Sequence, residues 1–302
     1  MLYITTTSLN IRRAPVVSPD TLICVLPERT TVEIIEKASV AGWVKVIAQL
    51  NPSVTGYVSE KYLRPKNEND VDYHFQHSTA LPEVHLIPGS GTSIVRNSAN
   101  GRAFPLNESD LPFKDAVSSE TKVQSIYRII EYLDVTRNAR YAPANSRTYC
   151  NIYAFDYCYL SKAYIPRVWW LPKAIVDITH GKSVPVQYDK TVGELNANML
   201  YDWFETYGSD YGWRRTFDPD ELQNAVNNGC CGIIVAKRVD LNRSGHIVAC
   251  VPESDLNKAE RISGKVSRPL QSQAGMKNYK YFIGNWWTKP QTFRGFGFWL
   301  HD

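Results

Sequence analysis

Cys150 and His246 are the residues of this chain whose types and settings could do chemistry. Cys150 lies in Asn145-Ser146-Arg147-Thr148-Tyr149-Cys150-Asn151-Ile152, where a polar stretch gives way to an apolar helical pattern. Thr148 reads as the N-cap, which puts Cys150 in the first helical turn. A thiol there meets unpaired backbone N–H groups and the positive end of the helix dipole. Both lower its pKa and favour the nucleophilic thiolate. Ser244-Gly245-His246-Ile247-Val248-Ala249 places His246 at the start of an apolar strand. A cysteine nucleophile with a histidine that takes and returns its proton is the arrangement for acyl transfer through a thioester.

Two further groups are needed. A polar residue on the strand after His246 should orient the imidazole. Gln273, in Gln271-Ser272-Gln273-Ala274-Gly275, is the first candidate and Asn278 the second. The oxyanion would be held by the Cys150 N–H and a donor from the Tyr141–Asn145 loop. Asn151, beside the nucleophile, is a substrate-contact candidate. His180 precedes a loop rather than a core strand and is the weaker base. Asp156, six residues into the helix, faces away from Cys150 and suits a structural hydrogen bond. His74, His77 and His85 read as solvated. Singly, a cysteine at a helix start or a histidine on an apolar strand is more often a packed residue; their order along one chain favours the catalytic reading.

The elements that would position these groups come in three stretches. Over residues 1–65, short β-rich runs recur at roughly ten-residue spacing, as in a small barrel or sandwich. They are Leu9–Arg12, Leu22–Leu26, Thr31–Ile35, Gly42–Val46 and Gly56–Val58. Residues 66–120 carry turn clusters such as Pro88-Gly89-Ser90-Gly91 and read as a linker wrapping the neighbouring domains. From 121 to 302 helical patterns come first and strands follow, the order of an α+β domain. Val123, Ile126, Tyr127 and Ile130 have helical spacing, and Cys150–Ala163 reads as a buried helix. Thr191-Val192-Gly193-Glu194 has the form of a capping box. Asp218-Pro219 opens a further helix that Gly229 stops. Strands are expected over Gly232–Ala236, His246–Val251, Ser267–Gln273 and Tyr279–Ile283. Trp169-Trp170 and Trp286-Trp287 are candidate groove walls. Neighbours on a strand face opposite ways, so only one of each pair could serve; Trp169 and Trp287 are the residues taken for that part.

Leu9-Asn10-Ile11-Arg12 with Pro15, then Gly42-Trp43-Val44-Lys45-Val46, then Thr55-Gly56-Tyr57-Val58-Ser59 resembles a bacterial SH3-like domain. Such domains bind cell-wall peptide or position a catalytic partner. Residues 127–300 resemble the NlpC-type cell-wall peptidases and their CHAP amidase relatives, which have a papain-like α+β fold. In that family a tyrosine precedes the nucleophile by about nine residues, the place Tyr141 holds, and Gly245-His246-Ile247 and Gln273-Ala274-Gly275 match its later motifs. The usual Asp-Cys-Ser-Gly is replaced by Thr148-Tyr149-Cys150-Asn151, as in a branch found in phage lysins and antibacterial toxins. The resemblance implies hydrolysis of an amide bond in peptidoglycan by Cys150, His246 and Gln273, with substrate contacts from Tyr141. An endopeptidase and an N-acetylmuramoyl-L-alanine amidase both fit. The same residues would serve a cysteine peptidase, deamidase or acyltransferase toxin directed at a protein, and a decayed, non-catalytic scaffold is the third reading.

Composition sets the bounds. At 302 residues and 43% hydrophobic content the chain is ordinary globular protein, long enough for two modest domains. Its net charge of +4 is spread without a basic run of five, so a nucleic-acid partner is not expected. No stretch has the length of a membrane span, and Met1–Thr7 lacks the basic and apolar regions of a Sec signal. A wall-directed protein of this kind would act in the periplasm or at the wall after specialised secretion or phage lysis. In the first case a cognate immunity protein is an expected partner. The six cysteines form no CxxC, so neither a zinc site nor a disulfide framework is expected. A cysteine mechanism needs no metal or organic cofactor, and a monomer is expected.

Overall fold

The computed structural model describes residues 2–50, 52–68, 70, 81–115 and 117–302. The chain opens with seven strands: β1 (Leu2–Thr5), β2 (Leu9–Arg12), β3 (Leu22–Leu26), β4 (Thr31–Lys37), β5 (Trp43–Ala48), β6 (Val54–Ser59) and β7 (Leu63–Pro65). They form one antiparallel sheet in the order β3-β2-β6-β5-β4-β1-β7. Strict alternation builds its core: on β5, Val44, Val46 and Ala48 are buried while Trp43, Lys45 and Ile47 are partly exposed. Trp43 is thus a half-buried member of the sheet.

Residues 81–115 form neither helix nor strand. Leu81, Val84, Leu86, Ile94 and Leu106 are nonetheless buried in the core of the region that follows. The stretch is packed chain rather than a free spacer.

That region contains α1 (Ser119–Leu133), α2 (Cys150–Leu160), β8 (Val168–Trp170), α3 (Pro172–Thr179), β9 (Val192–Glu194), α4 (Ala197–Tyr207), β10 (Arg214–Thr216) and α5 (Pro219–Asn227). Then come β11 (Cys231–Arg238), β12 (His246–Cys250), β13 (Glu260–Ile262), β14 (Lys265–Arg268), β15 (Leu270–Gln273), β16 (Tyr279–Ile283) and β17 (Phe293–His301). A six-stranded antiparallel sheet, β10-β17-β11-β12-β15-β16, is its centre. On β11, Ile233 and Val235 face the core of α1, α2 and α4, while Ile234 and Ala236 face that of α5. Helices cover both faces, which is why β11 reads as a continuous apolar run.

Three local expectations change. The Thr191–Glu194 capping box is absent: Val192–Glu194 pairs with β8, and Asn196 caps α4 by accepting from Asn198 and Met199 N–H. The strand expected over Ser267–Gln273 breaks at Pro269, which has no N–H to donate, into β14 and β15. The nine-residue β17, paired along β11, has no counterpart among the expected strands. The two sheets meet where Leu22 packs on the α5-side core and Phe217 packs on the core of the N-terminal sheet.

Candidate active site

Cys150 is the first residue of α2, and its N-cap is Tyr149, whose side chain makes no capping bond. Thr148 lies one residue too early to be the cap. The Tyr149 carbonyl accepts from the N–H groups of Ile152 (3.1 Å) and Tyr153 (3.0 Å). The N–H groups of Cys150 and Asn151 have no partner within the helix, and with the N–H of Ile247 on β12 they favour the charged form of the Cys150 thiol. Cys150 is 3% exposed. Burial raises its pKa above the ordinary thiol value, and the three N–H groups only partly offset this. The lowered pKa expected from the helix start is not the outcome, because loss of water outweighs the helix-end donors.

His246 opens β12 with its ring half-buried. Its Nε2 lies 2.7 Å from Gln273 Oε1. The Gln273 amide is oriented by its own Nε2, which donates to the Lys277 carbonyl at 3.2 Å. An amide oxygen can only accept, so the imidazole Nε2 carries the proton and Nδ1 keeps a free lone pair. Burial lowers the imidazole pKa, the Gln273 acceptor raises it, and the Arg238 charge lowers it again, for a net decrease. Both groups are thus neutral at rest, a thiol and an imidazole.

Among the described residues no hydrogen bond joins the Cys150 sulfur to the imidazole. Strand alternation gives the reason. Ile247, Ala249 and Val251 face the core that contains α2, and His246 shares the parity of Val248 and Cys250 on the opposite face. The sulfur reaches β12 at the Ile247 N–H, one residue past the histidine. The pairing of β12 with β15 ends at Ala249, and His246 and Gln273 meet in the opening beyond it. Gly245 is required just before: a Cβ there would overlap the Ala236 carbonyl oxygen and lie 2.7 Å from Asn198 Oδ1. That Asn198 ties the loop to α4, donating to the Arg243 carbonyl (2.9 Å) and accepting from the Arg238 N–H (2.9 Å).

The other expected contacts are placed elsewhere. Tyr141 is fully buried, and its hydroxyl donates to Asp156 Oδ2 at 2.9 Å beside the buried Arg140–Asp156 ion pair. It cannot meet a substrate there; Asp156 has the structural role expected of it. Asn278 does not orient His246: its amide donates to the carbonyls of Val135 (2.8 Å) and Tyr141 (3.0 Å) and accepts from Gly275 N–H. Asn151 is half-buried and donates to the Leu195 carbonyl at 2.9 Å. Trp169 is buried edge-on against Trp203, 5.8 Å between ring centroids, so it walls no groove. Trp287 is buried against Phe298. Trp286 is the member of that pair beside the site: its ring stands edge-on to His246 at 4.6 Å, and its Nε1 donates to Gln271 Oε1 at 2.8 Å. The Trp-Trp pair was visible in the sequence, but these residues form a 3₁₀ turn, where strand alternation does not apply. His180 is exposed at the end of α3 with Nδ1 2.6 Å from the Val176 carbonyl, apart from this cluster. His85 is exposed, and His74 and His77 lie outside the described residues. Among the described residues no group of three histidine, cysteine or carboxylate side chains is placed to hold a metal ion. No described helix is long and apolar enough to cross a membrane.

No protein-family model and no curated protein matches this sequence. Among solved structures the chain is similar to NlpC2 from Trichomonas vaginalis, with 11% identity, a TM-score of 0.22, and coverage of 94% of this chain and 70% of that one. A superposition that loose carries no weight for fold or activity, so the site is read from its own residues.

Proposed function

We propose that this chain is a cysteine hydrolase that cuts an amide bond of peptidoglycan, with an SH3-like N-terminal sheet and a papain-like region beyond it. The observation that carries the reading is the hydrogen bond from His246 Nε2, on the strand against which α2 and its first residue Cys150 pack, to Gln273 Oε1. It leaves Nδ1 as the base. With both groups neutral, the thiol proton passes to Nδ1 as sulfur attacks the carbonyl carbon, so no thiolate need be stored beforehand. The transfer requires the His246 side chain to turn from its place against Trp286 toward the α2 side of β12, a rotamer that bound substrate has to select. The oxyanion is held by N–H groups at the start of α2. The imidazolium then protonates the leaving amine as the C–N bond breaks, and water hydrolyses the thioester with His246 again as base. Gln273 stays neutral and stabilises the imidazolium.

The choice of wall as substrate rests on the sequence resemblance of residues 1–65 to SH3-like wall-binding modules. Delivery by a specialised secretion system or by phage lysis goes with that reading, as does an immunity protein in the first case. The test is digestion of purified sacculi by the full chain, with Cys150→Ala as control and fragments read by mass spectrometry. New amine ends from the parent alone are expected. Their absence, with cleavage or deamidation of a protein substrate instead, would move the activity to the protein-directed class.

A further inference from the structure

The far end of α2 borders a cavity of about 320 Å³. After Leu160 the chain reverses: Ala163 N–H bonds to the Cys158 carbonyl at 2.9 Å and Lys162 N–H to that of Tyr159 at 3.1 Å. This is the Schellman stop, whose left-handed position is usually glycine. Here Lys162 holds it, with φ of 58°, and its side chain lines the cavity. Most of the remaining walls are aromatic. The rings of Phe155 and Tyr159 are nearly parallel at 6.1 Å, and Phe113, 39% exposed, stands edge-on to Tyr159 at 5.4 Å. Tyr164 closes one side, its hydroxyl already accepting from Val84 N–H at 2.9 Å. Glu83 and His85, 3.7 Å apart, lie on the rim, and Tyr211, His301, Ala163 and Ile165 complete the lining.

The rim and walls together select a ligand class. An anion would meet the Glu83 carboxylate and a cation the Lys162 ammonium. A wholly apolar ligand would strip water from both without replacing its hydrogen bonds. A ligand with one flat C–H face for the rings and hydroxyls for the donor and acceptor satisfies all of them. We propose that this cavity binds a neutral pyranose unit and is a saccharide site separate from the Cys150 end of α2. Cys150 and Tyr159 are nine residues apart in sequence, about 14 Å along a helix at 1.5 Å per residue. Use of the site during wall cutting rests on the proposed function; sugar binding itself does not.

The test uses the full chain carrying Cys150→Ala, so that nothing is cut, titrated with an N-acetylglucosamine tetramer and separately with maltotetraose by calorimetry. Saturable one-to-one binding of at least one sugar is expected, and the preferred sugar shows whether the acetamido group is read. Phe113→Ala and Lys162→Gly should each weaken that binding tenfold or more. Lys162→Gly places the favoured residue at a left-handed position, so its melting temperature should equal or exceed the parent's, and its loss of binding cannot come from unfolding. Binding of neither sugar, or binding unchanged in both variants, overturns the proposal. Failure of the sacculus digest alongside intact sugar binding would refute the wall reading and leave this one standing.

Discussion

Replacing Gln273 by leucine tests the proposed chemistry through one bond. The side chain keeps similar bulk but loses the Oε1 that accepts from His246 Nε2 at 2.7 Å. In the resting state this is a neutral hydrogen bond, worth about 1 kcal/mol; on the imidazolium it becomes charge-assisted and worth about 1.5–3 kcal/mol. The difference, about 0.5–2 kcal/mol, belongs to the transition state and corresponds to about 2- to 30-fold in rate. Loss of the acceptor also lets the proton move to Nδ1, which removes roughly another factor of two if the tautomers become equal. Maximal sacculus hydrolysis should therefore fall about 4- to 60-fold with little change in the wall concentration at half-saturation. The pH profile separates this from a packing defect. The base must be unprotonated, so activity falls as pH drops through the imidazole pKa. Gln273 raises that pKa. Its removal should move the acid limb to lower pH, and Gln273→Glu, which adds a negative neighbour, should move it to higher pH. A rate within twofold of the parent, a loss confined to half-saturation, or an acid limb unmoved in both variants refutes the reasoning.

Three further outcomes are expected. Alkylation of Cys150 by iodoacetamide, followed by peptide mass mapping, should keep accelerating above the pH at which a free thiol levels off, because burial raises its pKa; a plateau near neutral pH would mean a stored thiolate. Cys24, pushed up to about 12 by burial, should react more slowly still. Asp156→Asn leaves Arg140 buried without a counter-charge and should cost about 3–5 kcal/mol in urea unfolding, whereas Arg137→Ala, at an exposed ion pair, should stay within about 0.5 kcal/mol. Glu253, held at about 2 chiefly by Arg261, with Asn227 and the Ala259 N–H assisting, contributes stability that is full above its ordinary value of 4.5. That contribution disappears as pH falls from there to about 2, so Glu253→Gln should flatten the acid limb of melting temperature against pH; an unaltered limb counts against it.

Much of the local structure was legible because it is written in local periods. Tyr279–Ile283, Leu9–Arg12 and Leu22–Leu26 are strands with the bounds that alternation and flanking turn residues suggest. The stop of α5 is legible for the same reason, since Gly229 takes φ of 93° there. β17 was not: Gly295 and Gly297 interrupt its apolar run, and only pairing along β11 marks it as a central strand. Residues 81–115 show no period at all, and their burial follows from where α1 and α2 lie.

The sequence by itself determined that Cys150 begins a helix, that His246 begins a strand and that Gln273 ends a later one, because each depends on a few neighbouring residues. The tertiary structure decided what those positions mean. Cross-strand register brought Gln273 rather than Asn278 to the imidazole. A 3₁₀ turn brought Trp286 rather than Trp287 beside it. Packing of α2 on the sheet stripped water from the thiol, so burial prevails over the helix-end donors and the pair rests neutral. Register joins His246 to a residue 27 positions away, and the burial of Cys150 draws on strands farther still along the chain, so no short window of the sequence contains both ends.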